Sequence, residues 1–152
     1  MLLRTHIAIA LLFIFLFLPN ISHKLIFISV ALIATLLPDL DTGFSTLGKH
    51  PVTGIIRFFV RHRGILHSFS FCVILSFLLA FFVPVLALPF FLGYGLHLFT
   101  DSFTIDGIRP FWPTKHLSKG LFKTGSLSET FVFIVLLIVD ALALIFILYR
   151  MN

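Results

Sequence analysis

Five long apolar runs, bounded by prolines or polar clusters, leave this chain few ways to fold. They cover roughly residues 6–18, 21–37, 65–83, 85–99 and 130–148. The chain has 152 residues, of which 59% are hydrophobic and only 11% charged, against roughly 25% charged in soluble domains. A bilayer core takes about 20 apolar residues as a helix. The expectation is therefore an all-α membrane protein, one domain over 1–152, with about five transmembrane helices. The third and fifth runs are adequate spans. The first, second and fourth are short, and are expected to thin the membrane or borrow length from their flanks.

Residues 1–18 resemble a signal peptide, but no small-x-small cleavage site precedes "PNISHK". They read as a retained first span. The single Cys72 excludes an intramolecular disulfide framework and a thiolate metal site. It reads as a small packed hydrophobe.

The polar interruptions set the topology. Five spans place the N-terminus, residues 38–64 and residues 100–129 on one face, and the turns near 19–24 and 84 with the C-terminus on the other. Arg4, Lys49, Arg57, Arg61, Arg63, Arg109, Lys115, Lys119 and Lys123 fall on the first face, and only Lys24 and Arg150 on the second. The positive-inside rule makes the first face cytoplasmic. The net charge of +5 is then a topological signal, and no nucleic-acid partner is required. Within 38–64, "PVTGIIRFFVRHR" reads as a short amphipathic surface helix. The stretch 100–129, rich in Gly, Pro, Ser, Thr and Lys, reads as an ordered loop.

The acidic and imidazole side chains sort to that same first face. His6 opens the first run, and Asp39 and Asp41 of "LLPDLD" close the second. His62 and His67 of "RHRGILHS" open the third, His97 and Asp101 of "GYGLHLFTD" close the fourth, and Glu129 of "SLSETF" opens the fifth. His97 and Asp101 stand at i and i+4, neighbours on one helix face. Asp39 and Asp41 follow Pro38, where an extended turn aims alternate side chains the same way. His62 and His67 would be about 140° apart on a continuous helix, so they converge only if the chain bends at Gly64. Histidine and carboxylate without thiolate suit zinc first, with manganese or iron as the other divalent candidates.

Each residue has a plainer reading. His6 is open to a snorkelling or capping role, Asp39 and Asp41 to capping a turn, and Glu129 to a favourable charge at a helix N-terminus. His23, His50 and His116 read as solvated or interfacial. Asp140, midway through the fifth run, has no evident partner, although ionisable groups inside spans are functional by default.

"LLPDLD", "HRGILHS" and "GYGLHLFTDSFTIDGIRPFWP", followed by a late Glu, resemble the blocks of the YdjM-type membrane-bound metal-dependent hydrolases. The resemblance runs from His6 to Glu129. It implies metal or catalytic roles for Asp39, Asp41, His62, His67, His97, Asp101 and Glu129, and His6 matches a histidine that commonly begins such sequences. Leu66 stands where the family pattern has Thr, which removes a hydroxyl beside the second His. The HxxxD element is also similar to that of zinc-dependent phospholipase C, an analogy that names no substrate.

The expected activity is metal-dependent hydrolysis of a phosphoester at the cytoplasmic membrane surface, with a lipid-linked substrate favoured by the headgroup level of the site. Asp41 would bridge ions or act as general base. Arg61, Arg63 and Arg109 would fork hydrogen bonds to a phosphate. Two other classes stay open. A transporter would place its ligands near the midplane, and a membrane scaffold with a structural metal would use a closed set of four ligands.

Overall fold

A computed structural model describes residues 1–41 and 65–151, the side chains at 40, 41 and 151 excepted. Among these residues it is all-helical: α1 (Leu3–Phe17), α2 (Lys24–Leu36), α3 (Phe69–Phe82), α4 (Pro84–Ser102) and α5 (Leu127–Met151). Each helix falls on one of the five apolar runs. The segment expected to form an amphipathic surface helix lies outside the described residues.

The helix boundaries have local causes. Pro19 closes α1 through a 3₁₀ turn, Leu18–Asn20, because a proline ring cannot continue a helix interior. Ser68 caps α3: its hydroxyl oxygen accepts from Phe71 N–H at 3.2 Å. Pro84 takes the first position of α4, where its missing N–H costs nothing. Val83 alone separates α3 from α4, so the two form a tight helical hairpin.

α2 packs along α4, α4 along α3, and α1 along both α2 and α5. The α2–α4 crossing is close because Gly93 has no side chain there. A Cβ at Gly93 would lie 2.1 Å from the carbonyl oxygen of Ala31, well inside contact distance. Small residues at a crossing are how membrane helices bring their backbones together. Around this seam Ala34, Cys72, Phe90, Tyr94, Leu98 and Ile108 form one buried cluster, and Ile14, Phe27 and Ala31 a second. Cys72 is buried and unpaired, as expected.

The outward faces are apolar rather than polar. Phe77, Phe81, Leu25 and Phe131 are each more than two-thirds exposed, so large apolar side chains face outward from three different helices. Two stretches, Leu3–Asn20 and Leu127–Arg150, are long and apolar enough to cross a membrane. Of the expected five spans, α2, already short as a run, has 13 residues, and α3, read as an adequate span, has 14, roughly 20 Å each at the α-helical rise against a hydrocarbon core near 30 Å. α4 has 19 residues, but Pro89, Gly93, Gly95, His97 and Asp101 dilute its hydropathy.

The loop between α4 and α5 is ordered by backbone pairing. Ile108 and Ser118 exchange N–H···O=C bonds at 3.0 and 2.9 Å. Gly107 makes that approach possible with a positive φ of 64° and with a missing Cβ that would meet Ser118 O at 2.1 Å. The carbonyl of Pro110 accepts from Phe69 N–H at 2.8 Å, which ties the loop to the start of α3.

Candidate metal centre

The up-and-down path brings the first turn of α1, the last turns of α2 and α4, and the first turns of α3 and α5 to one end of the bundle. There His6, His67, His97 and Asp101 are all almost completely buried. Two overlapping groups have ligand atoms within 4.8 Å of one another: His6, His97 and Asp101, and Asp39, His67 and His97. Each of the five was picked out by the sequence pattern.

His97 is oriented by the end of another helix. Its Nδ1 lies 2.8 Å from the carbonyl oxygen of Thr35. That carbonyl belongs to the last turn of α2, where helix carbonyls lack an intrahelical partner. A carbonyl only accepts, so His97 donates from Nδ1, and the neutral ring then carries its lone pair at Nε2. Among the described residues Nε2 has no hydrogen-bond partner, and it stands 3.8 Å from Asp39 Oδ1 and 3.7 Å from Asp101 Oδ2.

His6 is held by the same logic through Thr100. The Thr100 hydroxyl lies 3.0 and 2.9 Å from the carbonyl oxygens of Leu96 and His97, which engage its one proton. It therefore accepts from His6 Nδ1 at 2.9 Å, and the His6 lone pair falls at Nε2, 3.2 Å from Asp101 Oδ1. The His6 and His97 rings stack 3.9 Å apart and nearly parallel, so both Nε2 atoms address the same space.

His67 sits in a 3₁₀ turn, Ile65–His67, just ahead of the Ser68 cap, rather than in the first turn of the third helix as expected. Its Nε2 is 4.0 Å from Asp101 Oδ2. The turn is fastened to α4 by Tyr94, whose hydroxyl donates to Leu66 O at 2.6 Å. At position 66 the backbone carbonyl, not a side-chain hydroxyl, makes the contact beside the site.

The result is a buried set in which acceptors face acceptors. Two imidazole lone pairs and the Asp101 carboxylate point at one another; the α-amino group of Met1 brings a positive charge to Asp101 Oδ1, and the Nε2 atoms of His6 and His97 have no hydrogen-bond partner among the described residues. Donors bound at 2.0–2.2 Å around one tetrahedral zinc lie roughly 3.4 Å apart, so separations of 3.2–3.8 Å fit a divalent ion. The α-amino group of Met1 also contacts Asp101 Oδ1. Burial pushes the Asp39 carboxyl above its ordinary value, with Asp101 adding to the rise and His6 opposing it. A neighbouring divalent cation reverses that balance in favour of the carboxylate.

Glu129 is placed differently from the ligand role expected of it. Its Oε1 accepts from Leu2 N–H at 2.6 Å and from the Thr5 hydroxyl at 3.1 Å, and its Oε2 accepts from Gly125 N–H at 2.6 Å. It joins the starts of α1 and α5 and belongs to neither ligand group. Arg109 is exposed on the loop, and its side chain makes no ion pair among the described residues. Arg61, His62, Arg63, His50 and the side chain of Asp41 lie outside the described residues. His23 and His116 are exposed. Asp140 is 6% exposed, and neither carboxylate oxygen has a hydrogen-bond partner among the described residues.

Thr35, Tyr94 and Thr100 are the supporting residues that the ligand pattern did not assign to these roles. A Thr three residues after His97 and a Tyr three before it lie on the His97 face of α4, and that spacing was the available signal.

The YdjM inner membrane protein family matches residues 1–151. The chain belongs to that family. Its YdjM membership and its two apolar helices of spanning length identify a membrane protein. The chain is also 30% identical over 106 residues to the "Uncharacterized protein YvsG" of Bacillus subtilis (strain 168), a match covering 66% of each, just under two-thirds of that relative's length. No solved structure matches the chain.

Proposed function

We propose that this YdjM family member is a membrane-bound metal-dependent hydrolase acting on a phosphoester at the membrane surface. One observation carries the reading: the Nε2 lone pairs of His6 and His97 and the Asp101 carboxylate converge in a buried space that holds no donor side chain among the described residues, with the α-amino group of Met1 against Oδ1. His6, His97 and Asp101 would hold a divalent ion there, and such an ion would supply Lewis acidity toward a phosphoryl oxygen and a bound water.

The residues have distinct tasks. Thr35 and Thr100 keep the Nδ1 protons of His97 and His6 away from the site, so that both rings bind through Nε2. Asp101 presents Oδ1 toward His6 and Oδ2 toward His67 and His97, and would serve as the carboxylate ligand of the first set. Asp39 completes the second set, with His62 and Asp41 near enough in sequence to contribute to it. Zinc is the first choice, and the mixed nitrogen and oxygen donors also suit manganese or iron. Arg61, Arg63 and Arg109 are assigned to the substrate phosphate.

In this reading the short helices also cross a locally thinned bilayer, giving five spans, and the nine Lys and Arg on the ligand face make that face cytoplasmic. A site at the end of the bundle argues against transport, which places its ligands at the midplane.

The test is elemental analysis of detergent-purified protein, with turnover of a soluble phosphodiester and of phospholipid before and after chelation. Stoichiometric zinc, manganese or iron, chelator-sensitive turnover, and loss of both in His97→Ala/Asp101→Ala support the reading. Unchanged metal content in that variant refutes the site. Metal-dependent flux into liposomes without hydrolysis replaces the hydrolase with a transporter.

A further inference from the structure

At the opposite end of the bundle, where α1 ends, α2 begins and α5 finishes, lies a cavity of about 200 Å³. Lys24, Arg150 and Asn20 line it together with Leu18, Pro19 and Phe146. Among the described residues, Lys24 and Arg150 are the Lys and Arg that line this cavity, although 126 positions separate them in sequence. Neither makes an ion pair with a carboxylate among the described residues, and no Asp or Glu lines the cavity.

Two unpaired cations and an amide against an apolar wall call for an anion, and the surroundings indicate its source. Leu16, Leu25 and Tyr149 beside the cavity are each more than half exposed, an apolar collar suited to acyl chains. Tyr149 is also an aromatic residue of the type that settles at headgroup level. A guanidinium forks two hydrogen bonds to phosphate oxygens while an ammonium adds a point charge, and basic pockets between membrane helices hold anionic headgroups in this way.

We infer that the cavity between Lys24 and Arg150 binds the phosphate of an anionic phospholipid headgroup, on the membrane face opposite the metal centre. The site rests on the spanning character of α1 and α5 and is independent of any hydrolytic activity. The shared chemistry is a phosphate anion, and the collar selects the lipid over free phosphate.

The test is native mass spectrometry of the full chain released from nanodiscs of equal phosphatidylglycerol and phosphatidylcholine, with retained lipid counted. Two cations near a membrane surface predict roughly a 30-fold preference for phosphatidylglycerol. Lys24→Gln/Arg150→Gln should reduce it to near parity, while Lys115→Gln/Lys119→Gln, on the loop at the other end, should leave it intact. Helicity by circular dichroism and a thermal melt equal to those of the unsubstituted chain show that the double variant is folded. Equal retention of both lipids by the unsubstituted chain, or a preference untouched in Lys24→Gln/Arg150→Gln, overturns the proposal. Full displacement of the lipid by millimolar inorganic phosphate also overturns it, in favour of a free-anion site.

Discussion

Replacing Thr100 by Val tests the metal centre without touching a ligand. The two side chains have nearly the same shape, so packing in the α1–α4 seam is preserved, but the acceptor for His6 Nδ1 is lost. That contact is 2.9 Å long and wholly buried. Leaving a buried donor unsatisfied costs about 1–3 kcal/mol, and removing the hydrogen-bond partner of a ligating histidine typically lowers metal affinity by about 10–100-fold. The two figures agree, because 10–100-fold corresponds to about 1.4–2.7 kcal/mol. The assay is competition for zinc against a chromogenic chelator in detergent, with helicity followed by circular dichroism. Thr100→Ser should restore affinity, since it returns the hydroxyl. Ser102→Ala should have no effect, because that hydroxyl donates to Phe99 O on the exposed side of the same helix. A folded Thr100→Val protein with undiminished zinc affinity would show that His6 is not held for coordination in this way.

Three other substitutions separate the site from its frame. Gly93→Ala puts a methyl 2.1 Å from Ala31 O, so α2 and α4 must part by about 1 Å; overpacking of this kind costs about 1–3 kcal/mol, and a thermal melt should show it together with weaker metal binding as Thr35 draws away from His97. Glu129→Gln exchanges one carboxylate acceptor for a donor facing Gly125 N–H and should lower stability by about 1.5–3 kcal/mol while metal content stays constant; metal loss as deep as that of His97→Ala/Asp101→Ala would instead make Glu129 a ligand. Asp140→Leu removes a buried carboxyl with no hydrogen-bond partner among the described residues and should raise stability by about 1–3 kcal/mol; loss of turnover at full metal content would show that the carboxyl works.

Hydropathy located the helices because apolar length is a local property of sequence. Their ends were legible too: Pro19, Ser68 and Pro84 each act within one turn of themselves. The gathering of His6, Asp39, His67, His97 and Asp101 followed from alternation alone, since every ligand stands where its segment meets the same face. What stayed hidden depends on pairs distant in sequence. Glu129 reads as a ligand until Leu2, Thr5 and Gly125 are seen to use its oxygens. The orienting acceptor of His97 is a backbone carbonyl 62 positions away, which no side-chain pattern encodes. The third run, read as an adequate span, yields an α3 of only 14 residues because its apolar residues continue into the flanking turns.

The helix ends themselves favour a cation at this site. Three N-termini and two C-termini meet at the ligand face, and an N-terminus carries partial positive charge. Those positive ends are satisfied locally: Glu129 accepts from Leu2 N–H, Ser68 and Pro110 accept from the first turn of α3, and Ser126 accepts from Glu129 and Thr130 N–H. The negative ends of α2 and α4 are instead coupled to the ligands, since Thr35 O orients His97 while the last turns of α4 carry His97 and Asp101. Partial negative charge is thereby delivered where the lone pairs converge, while the positive ends are covered by their own chain. A pocket built to attract an anion directly would leave those N–H groups bare. If the proposed phosphoester hydrolysis holds, the substrate would be drawn in through a bound cation, and phosphoester affinity should collapse on chelation. By linkage, saturating phosphoester should then raise metal affinity by the same factor, and a metal affinity unmoved by saturating phosphoester would refute the coupling.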